Sequence, residues 1–194
     1  VGGSLVDKAE LAELAAEIKG VLLIDEAYVD YAGDDCVDLV KQFDNVIILR
    51  SMSKGYSLAG LRFGYAIAPL NLIEGLMKIK DSYSVDAVAI EAATAAIEDQ
   101  SYFKENIEKI KNQRQRLTDE LRRIGFQVAE SSANFLLATS TNPPAERIYE
   151  QLAERNIYVR YFPLPKLNDK IRISIGRADQ NDKLLMALEE IVAK

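Results

Sequence analysis

One lysine of this chain stands where an amine could do chemistry. Lys54 lies inside Ser51-Met52-Ser53-Lys54-Gly55-Tyr56-Ser57-Leu58-Ala59-Gly60-Leu61-Arg62, a run of small residues, hydroxyls and a single arginine. Small residues let the backbone come close to a bound group, and hydroxyls and N–H groups satisfy an anion. A lysine packed among small and aromatic residues can lose its proton and act as a nucleophile. The plain alternative is a solvated lysine in a polar turn.

A carboxylate makes the second candidate. Asp25-Glu26-Ala27-Tyr28 follows directly on Val21-Leu22-Leu23-Ile24. A carboxylate placed there is expected to be partly desolvated, and that is costly without a positive partner. Two other readings fit the same residues. One is a capping aspartate after a strand. The other is the Walker B pattern of P-loop ATPases, with Asp25 on magnesium and Glu26 on water. That reading needs a G-x-x-x-x-G-K-[ST] loop, which the sequence lacks. Arg160 and Arg172 each sit in an apolar stretch. Such an arginine is either an edge residue with its head in water or a ligand for an oxyanion.

These residues need elements to hold them. Val46-Ile47-Ile48-Leu49 reads as a buried strand leading into the Lys54 run, and Phe63 to Ala68 as a second strand ended by Pro69. If the first is parallel to its neighbour, Lys54 lies at the carboxyl edge where open α/β sheets bind ligands. Val21 to Ile24 reads as another buried strand. Ahead of it, Asp7 with Glu10 resembles a capping box for a helix carrying Leu11, Leu14, Ala15 and Ile18, with Gly20 as its left-handed stop. Asp34 to Phe43 reads as a polar connection with a short helix.

Helices are expected from about Asn71 to Lys80 and from Asp86 to Glu98, the latter with a close-packing face of Ala89, Ala92, Ala93 and Ala96. The longest helix runs from Gln100 to Ile124. Phe103, Ile107, Ile110, Leu117, Leu121 and Ile124 follow 4-3 spacing with Arg114 in the one missing place, and Gly125 ends it. A coiled-coil seam is weakly supported over so few heptads. Strands at Phe126–Ala129, Asn134–Thr139, Ile157–Phe162 and Ile171–Ile175 alternate with helices from Pro143-Pro144 to Arg155 and from Asn181 to Ala193. The expected fold class is α/β, with residues 1–99 in a larger domain and 100–194 forming a linking helix and a small α+β domain.

Composition narrows the function. The chain has 194 residues, 48% hydrophobic and 28% charged, the balance of a globular protein. No apolar run approaches the ~20 residues of a membrane span. The net charge of −6 argues against non-specific nucleic-acid binding. Cys36 is the only cysteine, which suits a reducing cytoplasm, and there is no histidine. Histidine triads and histidine-ligated zinc are therefore excluded, and no metal site is expected. Proton transfer near neutrality falls to lysine, a carboxylate, tyrosine or a cofactor.

The Ser51-to-Arg62 run, taken with Asp25 and Tyr28, resembles the signature of fold-type I aminotransferases that use pyridoxal phosphate, in particular the histidinol-phosphate aminotransferase group. The resemblance implies that Lys54 joins the cofactor covalently and shuttles the substrate proton. It implies that Ser51, Ser53 and Arg62 hold the cofactor phosphate, that Asp25 pairs with the ring nitrogen, and that Tyr28 donates to the ring oxygen. Arg172, in Arg-Ile-Ser-Ile-Gly, matches the arginine that holds the substrate carboxylate or an equivalent group, and Arg160 lies near the substrate phosphate. Asn134 matches a recurrent family position of open role.

The implied activity is transamination of histidinol phosphate with 2-oxoglutarate and glutamate, by a cytoplasmic homodimer. A related aromatic aminotransferase or amino-acid-phosphate decarboxylase fits the same residues. The resemblance runs from about residue 3 to the C-terminus, while family members are considerably longer. The 194 residues alone are accordingly expected to be inactive, to hold the cofactor weakly, and to self-associate through an unpaired strand edge.

Overall fold

The computed structural model describes residues 2–193, which divide into two compact units. One runs from Leu5 to Ile107; the other takes residues 2–4 and 108–193.

In the first unit, α1 (Lys8–Glu17) begins where the Asp7 carboxylate accepts from the Ala9 N–H at 2.7 Å. It stops at Ile18, which turns to extended backbone. The left-handed glycines among the described residues are Gly3 and Gly125, so Gly20 does not provide the expected left-handed stop. Instead, Asn45 Nδ2 caps the region from outside, donating to the carbonyls of Ala15 and Gly20.

β1 (Leu22–Asp25) runs parallel to β2 (Val46–Ser51), and β3 (Gly64–Ile67) runs antiparallel to β2 on its other side. Val46 and Ile48 are fully buried and pack with Ala15, Cys36 and Leu39, the last at the start of the short helix α2 (Leu39–Gln42). Leu22 and Ile24 pack on the same cluster. Leu23, pointing the other way from an edge strand, is 54% exposed. The Val21–Ile24 run is thus half-buried, with period-two alternation, rather than buried on both faces.

α3 (Leu70–Ile79) follows Pro69. α4 (Ala87–Glu98) starts at Asp86, which accepts from the Ala89 N–H at 2.9 Å. Ala89 and Ala93 are buried, as their small size and spacing suggest.

α5 (Gln100–Arg123) crosses the division between the units at Ile107 and Glu108. It ends on Gly125, at φ +101°, while the Phe126 N–H reaches back to the Leu121 carbonyl. The second unit holds a four-stranded antiparallel sheet in the order β4 (Gln127–Val128), β5 (Phe135–Thr139), β7 (Lys170–Ser174), β6 (Arg160–Tyr161). Leu136, Ala138, Ile171 and Ile173 share one face and pack with Leu117 and Leu121 of α5, Ile148 and Leu152 of α6 (Ala145–Glu154), and Leu184, Leu188 and Ile191 of α7 (Ala178–Val192).

The strand expected from Ile157 contracts to two residues for a local reason. Asn156 turns left-handed at φ +58°, and the Ile157 N–H closes α6 by bonding the Leu152 carbonyl at 2.9 Å. Ile157 therefore belongs to the helix stop.

Candidate active site

The Lys54 loop leaves β2 at its carboxyl edge. Asp25 and Tyr28 leave the same edge of the parallel neighbour β1, since Asp25 is in register with Leu49. The loop is internally tied. The Ser53 N–H bonds Ser51 Oγ at 3.2 Å, and the Met52 N–H bonds the Phe63 carbonyl at 3.1 Å. The Ser57 N–H bonds the Lys54 carbonyl, also at 3.1 Å. Met52 is fully buried and anchors the loop from below. Ser57 and Arg62 both adopt left-handed backbone, at φ +58° and +55°, which folds the chain back toward β3.

Lys54 itself is half-buried, with its Nζ 5.4 Å from the centre of the Tyr28 ring. An ammonium over a tyrosine face is attracted by the ring quadrupole. Arg62 is exposed, and its Nη1 donates to the Ala59 carbonyl at 3.1 Å. Asp25 is exposed rather than partly desolvated, with Oδ1 accepting from the Ala27 N–H at 3.0 Å. Asp25 shares with the exposed Leu23 the face of β1 turned away from the cluster that Leu22 and Ile24 pack on. The arrangement brings an amine, two hydroxyls, a guanidinium, a phenol and an exposed carboxylate to one edge, a donor set suited to an anionic group carrying a reactive carbonyl.

Arg160 and Arg172 lie in the second unit and face each other across β6 and β7 in direct register. They stand on the opposite face of the sheet from Ile171 and Ile173. Both guanidiniums flank the Phe162 ring, at 5.4 and 5.7 Å, and Arg172 also lies 4.9 Å from the Phe135 ring. Like charges directly opposite on a sheet repel, so the pair is suited to an oxyanion between them. Nearby, Arg114 occupies the break in the α5 apolar spacing because its Nη1 donates to the Ala133 carbonyl at 2.9 Å, steadying the turn before Asn134.

The family model of aminotransferase class I and II matches residues 2–188. The chain belongs to that family. A histidinol-phosphate aminotransferase of a Nostoc species is 48% identical over 190 residues, covering 98% of this chain and 54% of that protein. The solved histidinol-phosphate aminotransferase of Sinorhizobium meliloti, in complex with pyridoxal-5'-phosphate, matches with a TM-score of 0.90 and 30% identity over 99% of this chain and 55% of that one. The enzyme of that name from Clostridium acetobutylicum matches with a TM-score of 0.91 and 28% identity, over 99% and 61% of the two chains. The chain spans about half the length of the curated relatives it matches.

Arg50, Asp35 and Asp30 escaped the sequence reading, and Glu26 entered it only through the Walker B alternative. Glu26 is 7% exposed; its Oε2 accepts from Arg50 Nε at 2.8 Å and its Oε1 from the Cys36 N–H at 2.6 Å. Arg50 Nη2 lies 3.2 Å from Asp35 Oδ2. Burial works against the charge on Arg50, but Glu26 and Asp35 outweigh it and hold the guanidinium above its ordinary pKa. Asp30 completes the cluster. Burial pushes its carboxyl up, against the pull of Arg50 and of the nearby Gly55 N–H.

A signal was present. Arg50 is a charge directly after four aliphatic residues, and the same argument applied to Asp25 should have demanded a partner for it. The cluster also bears on the ATPase reading. Both oxygens of Glu26 are engaged within the protein, where a Walker B glutamate would face water.

Proposed function

We propose that this chain carries the lysine-bearing part of a pyridoxal-phosphate-dependent aminotransferase for histidinol phosphate, with 2-oxoglutarate and glutamate as the second pair, in histidine biosynthesis. The observation that carries the reading is Lys54 over the Tyr28 ring, at the strand edge that also bears Asp25. The names of the relatives point to the substrate.

The residues of the edge fit the cofactor by type. Ser51, Ser53 and Arg62 offer two hydroxyls and an exposed guanidinium to a phosphate. The exposed Asp25 offers an anion to a protonated ring nitrogen, and such a pairing raises the nitrogen's pKa. Tyr28 offers its hydroxyl to the ring oxygen. The cofactor supplies an electron sink for the charge that develops at the substrate carbon. Lys54 contributes the amine that joins the cofactor aldehyde with loss of water, and afterwards the base that carries the proton between substrate and cofactor. Arg160 and Arg172 hold the substrate's phosphate and carboxylate or its polar equivalent. Residues 1–99 are the remainder of a large cofactor-binding domain and residues 100–194 the linking helix and a small C-terminal α+β domain, and the working enzyme is a cytoplasmic homodimer.

Borohydride reduction of the cofactor-loaded enzyme, followed by peptide mapping, tests the core of this reading. The label is expected on Lys54, and a label on another lysine removes the assignment. Turnover of histidinol phosphate against aromatic amino acids and amino-acid phosphates decides the substrate.

A further inference from the structure

Lys54 has a long, flexible side chain, so its aim depends on how firmly its backbone is held. The residue after it is closely packed. Gly55 is buried, and a Cβ placed on it would lie 2.7 Å from Asp30 Cγ and 2.8 Å from Asp30 Cβ. Only a glycine leaves room for the Asp30 carboxylate to pack directly on its Cα. Asp30 lies in the short 3₁₀ turn Val29–Tyr31 directly after Tyr28, and the Arg50 charge attracts it. Arg50 pairs with Glu26 at 2.8 Å and with Asp35 at 3.2 Å. On the far side, the Tyr56 ring stacks on Phe103 with centroids 4.2 Å apart and planes 16° apart.

We propose that Asp30 is a positioning residue for Lys54: by clamping Gly55 it ties the lysine loop to the turn that bears Tyr28 and keeps Lys54 Nζ over that ring. One contact thus sets the distance between two loops that leave neighbouring strands. This rests on the reading of Lys54 as the lysine that joins the cofactor. The clamp is a packing contact of the carboxylate on Gly55, so the isosteric asparagine at position 30 retains it and alanine abolishes it.

The test uses D30A and D30N in the intact enzyme. Without cofactor, amide exchange at Gly55 is expected to speed up by roughly tenfold or more in D30A and to stay near wild type in D30N, since losing a buried packing contact lowers the local opening energy. With cofactor, covalent capture of pyridoxal phosphate by Lys54, followed by reductive labelling, is expected to slow by about ten- to a hundredfold in D30A, the scale of an ångström-level misplacement. D30N is expected to restore it. kcat should fall in D30A while KM for the amino donor holds.

Unchanged Gly55 exchange in D30A overturns the clamp. Faster exchange with unchanged labelling at Lys54 overturns the positioning role and leaves the cofactor reading intact. A wild-type label on a different lysine removes the cofactor reading, and the proposal with it. If D30A does not fold, G55A displaces the same carboxylate from the other side, and unchanged labelling of Lys54 there overturns the proposal equally.

Discussion

Cys36 shows how a single buried group is shaped by its neighbours. Burial pushes the thiol up to about 11, and the nearby Glu26 carboxylate adds to the effect. The thiolate is the reactive form, so its population at neutral pH lies about a hundredfold below that of an ordinary thiol. The side chain is also only 9% exposed. A thiol reagent is expected to modify the folded chain at least a hundredfold more slowly than the chain unfolded in urea, as read from the absorbance of the released chromophore. Equal rates would mean that the Glu26–Cys36–Arg50 neighbourhood opens readily in solution. The same neighbourhood explains why Glu26 and Arg50 are tolerated at strand ends. A buried charge that loses its partner costs about 3–5 kcal/mol, whereas the intact pair is close to neutral.

Among the elements, the β2–β3 hairpin carries the site, because the whole lysine loop is strung between these strands. Their pairing depends on Gly64, opposite Ser51. A Cβ there would lie 2.9 Å from the backbone oxygen of Arg50, an atom that cannot swing aside. Gly64→Ala is therefore expected to force β3 away from β2 and to destabilise the Leu5–Ile107 unit by about 1–3 kcal/mol, the usual cost of overpacking. The urea midpoint measures this. A variant as stable as wild type would show that β3 shifts without loss. α5 contributes at this scale in two separate ways. Phe103 stacks on the loop residue Tyr56 in one unit, while Leu117 and Leu121 fill the core of the other.

At the scale of the whole molecule, the two units are unequally built. Among the described residues, the core of the C-terminal unit joins seventeen buried side chains from its sheet and three helices, while the core beneath β1 and β2 joins five. The first unit also leaves Leu23, Met77, Ile79 and Val88 more than half exposed. Apolar burial is the main stabilising term, at about 25 cal/mol per Å². Unfolding of this 194-residue chain is accordingly expected in two stages, with amides of β1 and β2 losing exchange protection at lower urea than those of β5 and β7. A single coincident loss of protection in both sheets would contradict this.

What the sequence by itself determined is local. Asp7, Asp86 and Gly125 mark helix ends, because a side-chain oxygen or a left-handed residue satisfies the orphan backbone groups a few positions away. The Lys54 run was legible as a loop at a strand end for the same reason, since small residues and hydroxyls act through their immediate neighbours. Tertiary structure alone decided which side chains meet across long separations. Asp30 meets Gly55, and Glu26 meets Arg50, only because β1 and β2 pair in one register. Arg160 faces Arg172 only because β6 pairs with β7 as it does. A slip of one residue in any of these pairings would turn each side chain to the opposite face. The exposure of Asp25 and Leu23 was decided in the same way, by the face of β1 that they share: what covers a strand face is set by its neighbours in space, and the unbroken aliphatic run does not record it.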